Sequence, residues 1–179
     1  MRLFYQKQPC EAEQNMSEEE KRMRRCCFTG HRPEKLIKSE KVIKAALRKE
    51  IKLAIQDGLT VFITGMARGV DLWAAEIVLE FKKRNKSIKL ICAIPHEGFE
   101  TRWSVTWKQL YQYVLDNADL VRVISKGYHP GVYQIRNEWM VNHSARVIAV
   151  CRYYCCGCCR HYIHCSQTEI QRRAEVSLG

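Results

Sequence analysis

No apolar run in this sequence is long enough to cross a bilayer, and the charged amino-terminal stretch lacks the apolar core of a signal peptide. Both absences point to a cytoplasmic protein. The chain has no internal repeats, so a solenoid or a propeller is not expected. It also lacks Gly-x-Gly-x-x-Gly, and no Lys-Ser/Thr follows its glycines to complete a P-loop. Generic dinucleotide and ATP-binding labels therefore do not apply.

The 179 residues, 46% of them hydrophobic, suit one globular domain with a substantial core. Ten cysteines would suggest a secreted disulfide scaffold, but six of them crowd between Cys151 and Cys165. Cys27 and Cys92 lie inside apolar runs, where cysteine behaves as a small hydrophobe. The net charge of +11 would fit a nucleic-acid partner. Much of it falls on one helical stripe, Lys41, Lys44, Arg48 and Lys52, opposite an apolar face of Ile43, Leu47, Ile51 and Ile55. A solvated helix face explains that pattern. No aromatics interleave with the stripe, so a single-strand stacking platform is not expected there.

Residues 1–24 are polar and mixed in charge and read as a flexible or appended leader. Beyond them the chain alternates. Strand-like runs fall near Cys26–Thr29, Val61–Thr64, Ile88–Ile94, Leu120–Ile124 and Arg146–Val150. Helical patterns fall near Ser39–Asp57, Asp71–Lys86, Arg102–Asn117 and Gly131–Asn142, with Ser39 as a helix N-cap and Asp57-Gly58 as a stop. Short strands separated by helices imply βαβ crossovers, hence an α/β domain over residues 25–150 with a mostly parallel sheet and helices on both faces.

The most informative segment is Val61-Phe-Ile-Thr-Gly-Met-Ala-Arg-Gly-Val-Asp71, a strand that ends in Thr-Gly and opens through a second glycine into a helix. Gly65 and Gly69 would let backbone approach a ligand closely, and the helix start would offer N–H groups to an anion. Asp71 would either cap its helix or hold a ribose hydroxyl, capping being the simpler role. A second Thr-Gly turn, Thr29-Gly-His-Arg-Pro33, sets Gly30, His31 and Arg32 at another strand end. In an open parallel sheet the carboxyl ends of the strands face one crevice, where Arg32 and Arg68 would suit phosphate or carboxylate. The loop after the third strand adds Arg102 for an anion and Phe99 and Trp103, with loop packing the expected role for Trp103. Past the fourth strand, Tyr133, Arg136 and Asn137 share one helical face. Asp119 is expected to serve as a helix–strand turn residue, and Glu76 as an exposed helix residue rather than a general base.

Thr29-Gly-His-Arg-Pro33, Gly65-Met-Ala-Arg-Gly-Val-Asp-Leu-Trp-Ala-Ala-Glu76, Arg102-Trp103 and Gln134-Ile-Arg-Asn-Glu-Trp-Met-Val141 together resemble the bacterial YpsA-type proteins. Those belong to the SLOG group, named for its DNA-processing protein A and Lonely Guy branches. The resemblance covers about Cys26 to Val150 and implies a Rossmann-like three-layer fold with a pocket for nucleotide-derived ligands. The candidate ligand-binding set is then Gly30, His31, Arg32, Gly65, Met66, Ala67, Arg68, Gly69, Asp71, Arg102, Trp103, Tyr133, Arg136 and Asn137. No catalytic residue, resident cofactor or metal is assigned, and a sensor and an enzyme both remain open. Ala67-Arg-Gly-Val-Asp71 is similar to a turn of DNA-processing protein A, which makes a single-stranded DNA-binding module the alternative. An N-glycosidic hydrolase ranks third, since the Pro-Gly-Gly-x-Gly-Thr-x-x-Glu motif of Lonely Guy enzymes is missing. The expected partner is a nucleotide-like small molecule, without a membrane, and self-association stays open.

The resemblance breaks after Val150. YpsA-type proteins continue with a short turn and a Gly-Gly-Thr segment, whereas residues 151–179 form an atypical Cys-rich tail. A one-base frame shift, with suitable codons, turns Cys159-Arg-His-Tyr-Ile-His-Cys-Ser166 into Ala-Gly-Thr-Thr-Tyr-Thr-Val-Ala and recovers much of the expected pattern. The rival reading is a zinc site among Cys155, Cys156, Cys158, Cys159, His161, His164 and Cys165. Adjacent cysteines point apart, and the long spacer of a structural zinc site is missing, so no metal is expected.

Overall fold

A computed structural model describes residues 16–150 and the backbone of 174–175. The Cys-rich tail, with its frame-shift and zinc readings, lies outside the described residues apart from that short backbone stretch, as do residues 1–15 of the leader. The rest of the leader carries a helix, α1 (Glu18–Met23). Ser17 accepts from the Glu20 N–H while the Glu20 carboxylate takes the Ser17 N–H, a reciprocal cap that accounts for helix here.

Six parallel strands follow, β1 (Arg25–Gly30), β2 (Val61–Thr64), β3 (Lys89–His96), β4 (Leu120–Ser125), β5 (Arg146–Val150) and β6 (Ala174–Glu175). The first five are joined by α2 (Glu40–Gln56), α3 (Val70–Arg84), α4 (Val105–Asn117) and α5 (Val132–Asn142). The strand order is β4-β3-β2-β1-β5-β6. The chain thus steps outward from β1 to β4 and then returns through α5 to the other side of β1. This reversal makes β1 and β5 the topological switch point of an α/β, Rossmann-like sheet.

Alternation along the strands sorts the core into two layers. Cys26, Phe28, Phe62, Leu90, Cys92 and Ile94 pack with α2, α3 and α4, while Cys27, Val61, Ile63, Ile91 and Ala93 pack with Met140 and Val141 of α5. Strands this short and buried on both faces read as continuous apolar runs. On α2 the buried stripe is Ile43, Leu47, Ile51 and Ala54. Burying each of the larger aliphatic side chains contributes about 1.5–3 kcal/mol. α3 lies between α2 and α4 and is buried almost all round from Val70 to Ala75, so it has no wet face in its first turns.

Two turn residues act as expected. Asp57 ends α2, and Gly58 follows at φ +89°. Asp119 accepts from the Leu90 N–H at 2.9 Å and from Lys82 Nζ at 2.6 Å, tying the start of β4 to β3 and α3.

Candidate site at the carboxyl ends of the strands

The turn after β2 is held by Thr64. Its hydroxyl donates to the Asp71 carbonyl at 2.9 Å and accepts from the Met66 N–H at 3.2 Å. Met66 is fully buried at φ +61°, a left-handed conformation uncommon outside glycine. Gly69, at φ +91° and ψ −124°, begins α3 with no side-chain cap. The cap expected of Asp71 is therefore replaced by a different bond. Asp71 sits inside the first turn, accepts from the Ala67 N–H at 3.3 Å, and faces Arg136 at 3.6 Å.

Arg136 reaches from α5 across the second core layer. Its Nη1 donates to the Gly65 carbonyl and its guanidinium pairs with the Asp71 carboxylate, both side chains being buried. Burial pushes the Asp71 carboxyl up to about 6, while Arg136 and the Ala67 N–H pull the other way. The space beside Gly65 belongs to this pair. A Cβ there would fall 2.7 Å from Arg136 Cζ and 2.8 Å from Asp71 Oδ2. The close neighbours at Gly65 are thus Arg136 and Asp71, and Arg136 is buried with its guanidinium on the Gly65 carbonyl and the Asp71 carboxylate.

The turn after β1 lies directly on this one. A Cβ on Gly30 would sit 2.6 Å from a Val70 methyl, and one on Gly69 would sit 2.7 Å from the Pro33 ring. At Gly69, too, the close neighbour is protein. Arg68 meets Glu34 at 3.2 Å across the seam, and the His31 N–H donates to Val150 O at 3.2 Å, joining the end of β1 to β5. Arg32 is exposed beside them, so Gly30, His31, Arg32, Met66, Ala67, Arg68 and Gly69 do share one end of the sheet.

β3 runs past the end of β2, since Thr64 pairs with Cys92 and four residues follow before the strand ends at His96. His96 is 8% exposed and lies edge-on to Phe99, Tyr128 and Tyr133, with ring centroids 6.0, 5.7 and 6.0 Å away. Its Nδ1 is 2.9 Å from the Glu97 carbonyl. Because a carbonyl only accepts, Nδ1 is the donor in this contact. Trp103 is half-buried and packs edge-on to Phe99 and Tyr111. Arg102 is exposed on the same loop and joins none of the groups around Gly65. Asn137 is half-buried beside Arg136 in sequence. His96 and Tyr128, not among the residues expected from the sequence, lie at the same strand ends. The usable signal was a histidine ending an apolar strand and a tyrosine in the Gly127-Tyr-His-Pro130 loop.

A family model described as the YspA SLOG family (YpsA) matches residues 26–169. The chain belongs to this YpsA family of SLOG proteins. It is similar to a UPF0398 protein of Bacillus thuringiensis strain Al Hakam, 30% identical over 136 residues, 72% of this chain and 74% of that one. A UPF0398 protein of Ligilactobacillus salivarius strain UCC118 is 30% identical over 115 residues, 63% of each chain.

YpsA-family membership suggests nucleotide-related binding in general terms. The basic stripe of this YpsA-family chain has a structural explanation. Lys44 pairs with Glu40 and Glu76 at 2.8 Å each, and Arg48 pairs with Glu80 at 2.7 Å. Glu76 therefore points to α2 and is half-buried rather than exposed. Among the described residues no helix is long and apolar enough to cross a membrane, and no cluster of potential metal ligands occurs.

Proposed function

We propose that this chain binds a nucleotide or nucleotide-derived ligand across the carboxyl ends of β1, β2 and β3. The observation that carries the reading is the opening of α3. This 15-residue helix begins at an uncapped glycine beside the switch point, with Arg68 and Arg32 on the adjoining turns. Main-chain N–H groups and arginines at such a place favour an anionic group, and the anion is assigned to the ligand's phosphate. Asp71 takes no catalytic role here, because Arg136 and the Ala67 N–H occupy its carboxylate. Glu76 is paired with Lys44, which leaves hydrolysis of an N-glycosidic bond without a carboxylate assigned to it.

The test is calorimetric titration of the full chain with mononucleotides and ADP-ribose. Binding that weakens several-fold in Arg68→Ala, without loss of fold, supports the reading. A folded protein that binds none of them overturns it. Single-stranded DNA belongs in the same titration because of the +11 charge. DNA binding that falls steeply with salt, with no nucleotide binding, would favour the DNA-module reading instead.

A further inference from the structure

The aromatic group at the ends of β3 and β4 has no part in holding the β2 turn, and its composition differs from that of a core cluster. Tyr128 is 68% exposed and Tyr133 39% exposed, yet their rings lie 6.3 Å apart and both meet the buried His96 edge-on. An apolar core would bury these rings. A surface decoration would not set them around a buried histidine. Tyr133 also lies in the first turn of α5, one turn before Arg136, the residue joined to Gly65 and Asp71. The aromatic group and the opening of α3 are thus linked through one helix.

We infer that Tyr128 and Tyr133 form the stacking wall of a nucleobase subsite, with His96 Nε2 accepting a hydrogen bond from the base. This rests on the nucleotide reading above and extends it by assigning the two ends of the ligand, phosphate toward α3 and base toward the tyrosines. The chemistry matches a nucleobase. Every base has a π-face for stacking, and an exocyclic amine or ring N–H can donate to an imidazole nitrogen. The exposure of the two tyrosines favours a sequence-tolerant stack over a selective pocket, so several bases are accepted.

The experiment compares AMP, GMP, CMP and UMP with ribose 5-phosphate, which keeps the anion and the sugar but lacks the base. In the full chain the nucleotides bind more tightly than ribose 5-phosphate. Tyr128→Ala, at an exposed position, weakens the nucleotides by about 5- to 150-fold, the range of one base–aromatic stack, and leaves ribose 5-phosphate unchanged. Tyr128→Phe retains the wild-type preference. If nucleotides and ribose 5-phosphate bind alike and Tyr128→Ala alters neither, the base subsite is overturned while the anion site stands. If none of the five compounds binds the folded chain, both readings fall together.

Discussion

Replacing Gly65 by alanine separates a glycine that makes room for Arg136 from one that makes room for a ligand. Gly65 is not among the positive-φ residues, so alanine brings no backbone strain and the methyl acts by collision alone. That methyl falls 2.7 Å from Arg136 Cζ and nearer still to Nη1, with Asp71 Oδ2 on its other side at 2.8 Å. The guanidinium cannot yield without giving up the Gly65 carbonyl and its buried carboxylate. Overpacking alone costs about 1–3 kcal/mol, and a buried charge left without its partner costs about 3–5 kcal/mol. The two penalties relieve one another in part, so Gly65→Ala is expected to lose about 3–5 kcal/mol. For a domain of this size that lowers Tm by roughly 10 °C. Urea denaturation followed by circular dichroism measures the loss directly. Gly58→Ala is the control, since φ is +89° there but no atom lies within 4 Å of the added methyl. The second arm is the double variant Gly65→Ala with Arg136→Met, in which the cost of the alanine shrinks by more than about 1 kcal/mol if the collision is with Arg136. Gly65→Ala within about 0.5 kcal/mol of wild type, with nucleotide binding lost, would refute this account and return the glycine to the ligand.

Three further outcomes follow from the same geometry. Burial raises Asp71 from its usual 3.8 to about 6, so the folded chain holds this proton more tightly than the unfolded one. Its contribution to stability is present below pH 3.8 and is lost as pH rises to about 6, roughly 3 kcal/mol in all; Asp71→Asn should flatten that slope in denaturation curves taken from pH 4 to 7. Arg68→Ala breaks only a partly exposed pair with Glu34, so the unfolding free energy should fall by less than about 1 kcal/mol while nucleotide affinity falls. Asp119→Ala leaves the Leu90 N–H without its acceptor and should cost about 1–3 kcal/mol, with hydrogen exchange at Leu90 accelerated.

Local pattern carried the fold well. The span Val61–Thr64 and the apolar stripe of α2 follow from periodicity, because a short buried strand and an amphipathic helix each leave a repeating mark on neighbouring residues. The end of β3 at His96 was less legible, since a Pro95-His pair suggests a loop and only pairing with Ser125 of β4 keeps it extended. The capping box at Ser17 and Glu20 was readable but lay inside a polar stretch that resembled a leader. The site was legible only as a neighbourhood. Gly65 and Asp71 were visible as turn residues, but what fills the space between them comes from Arg136, 71 positions after Gly65. No spacing rule connects such residues. The same holds for His96, whose tyrosine neighbours arrive from a different strand end and a different helix.

The interlocked turns bear on how quickly a ligand can be captured. Val70 against Gly30, and Pro33 against Gly69, leave neither turn free to swing without its neighbour, and the Arg136 strut fixes the floor beneath them. The ligand proposed above would then meet a surface already in its final shape. Its observed association rate should therefore climb in proportion to concentration without reaching a plateau, because no slow rearrangement stands between encounter and the bound state.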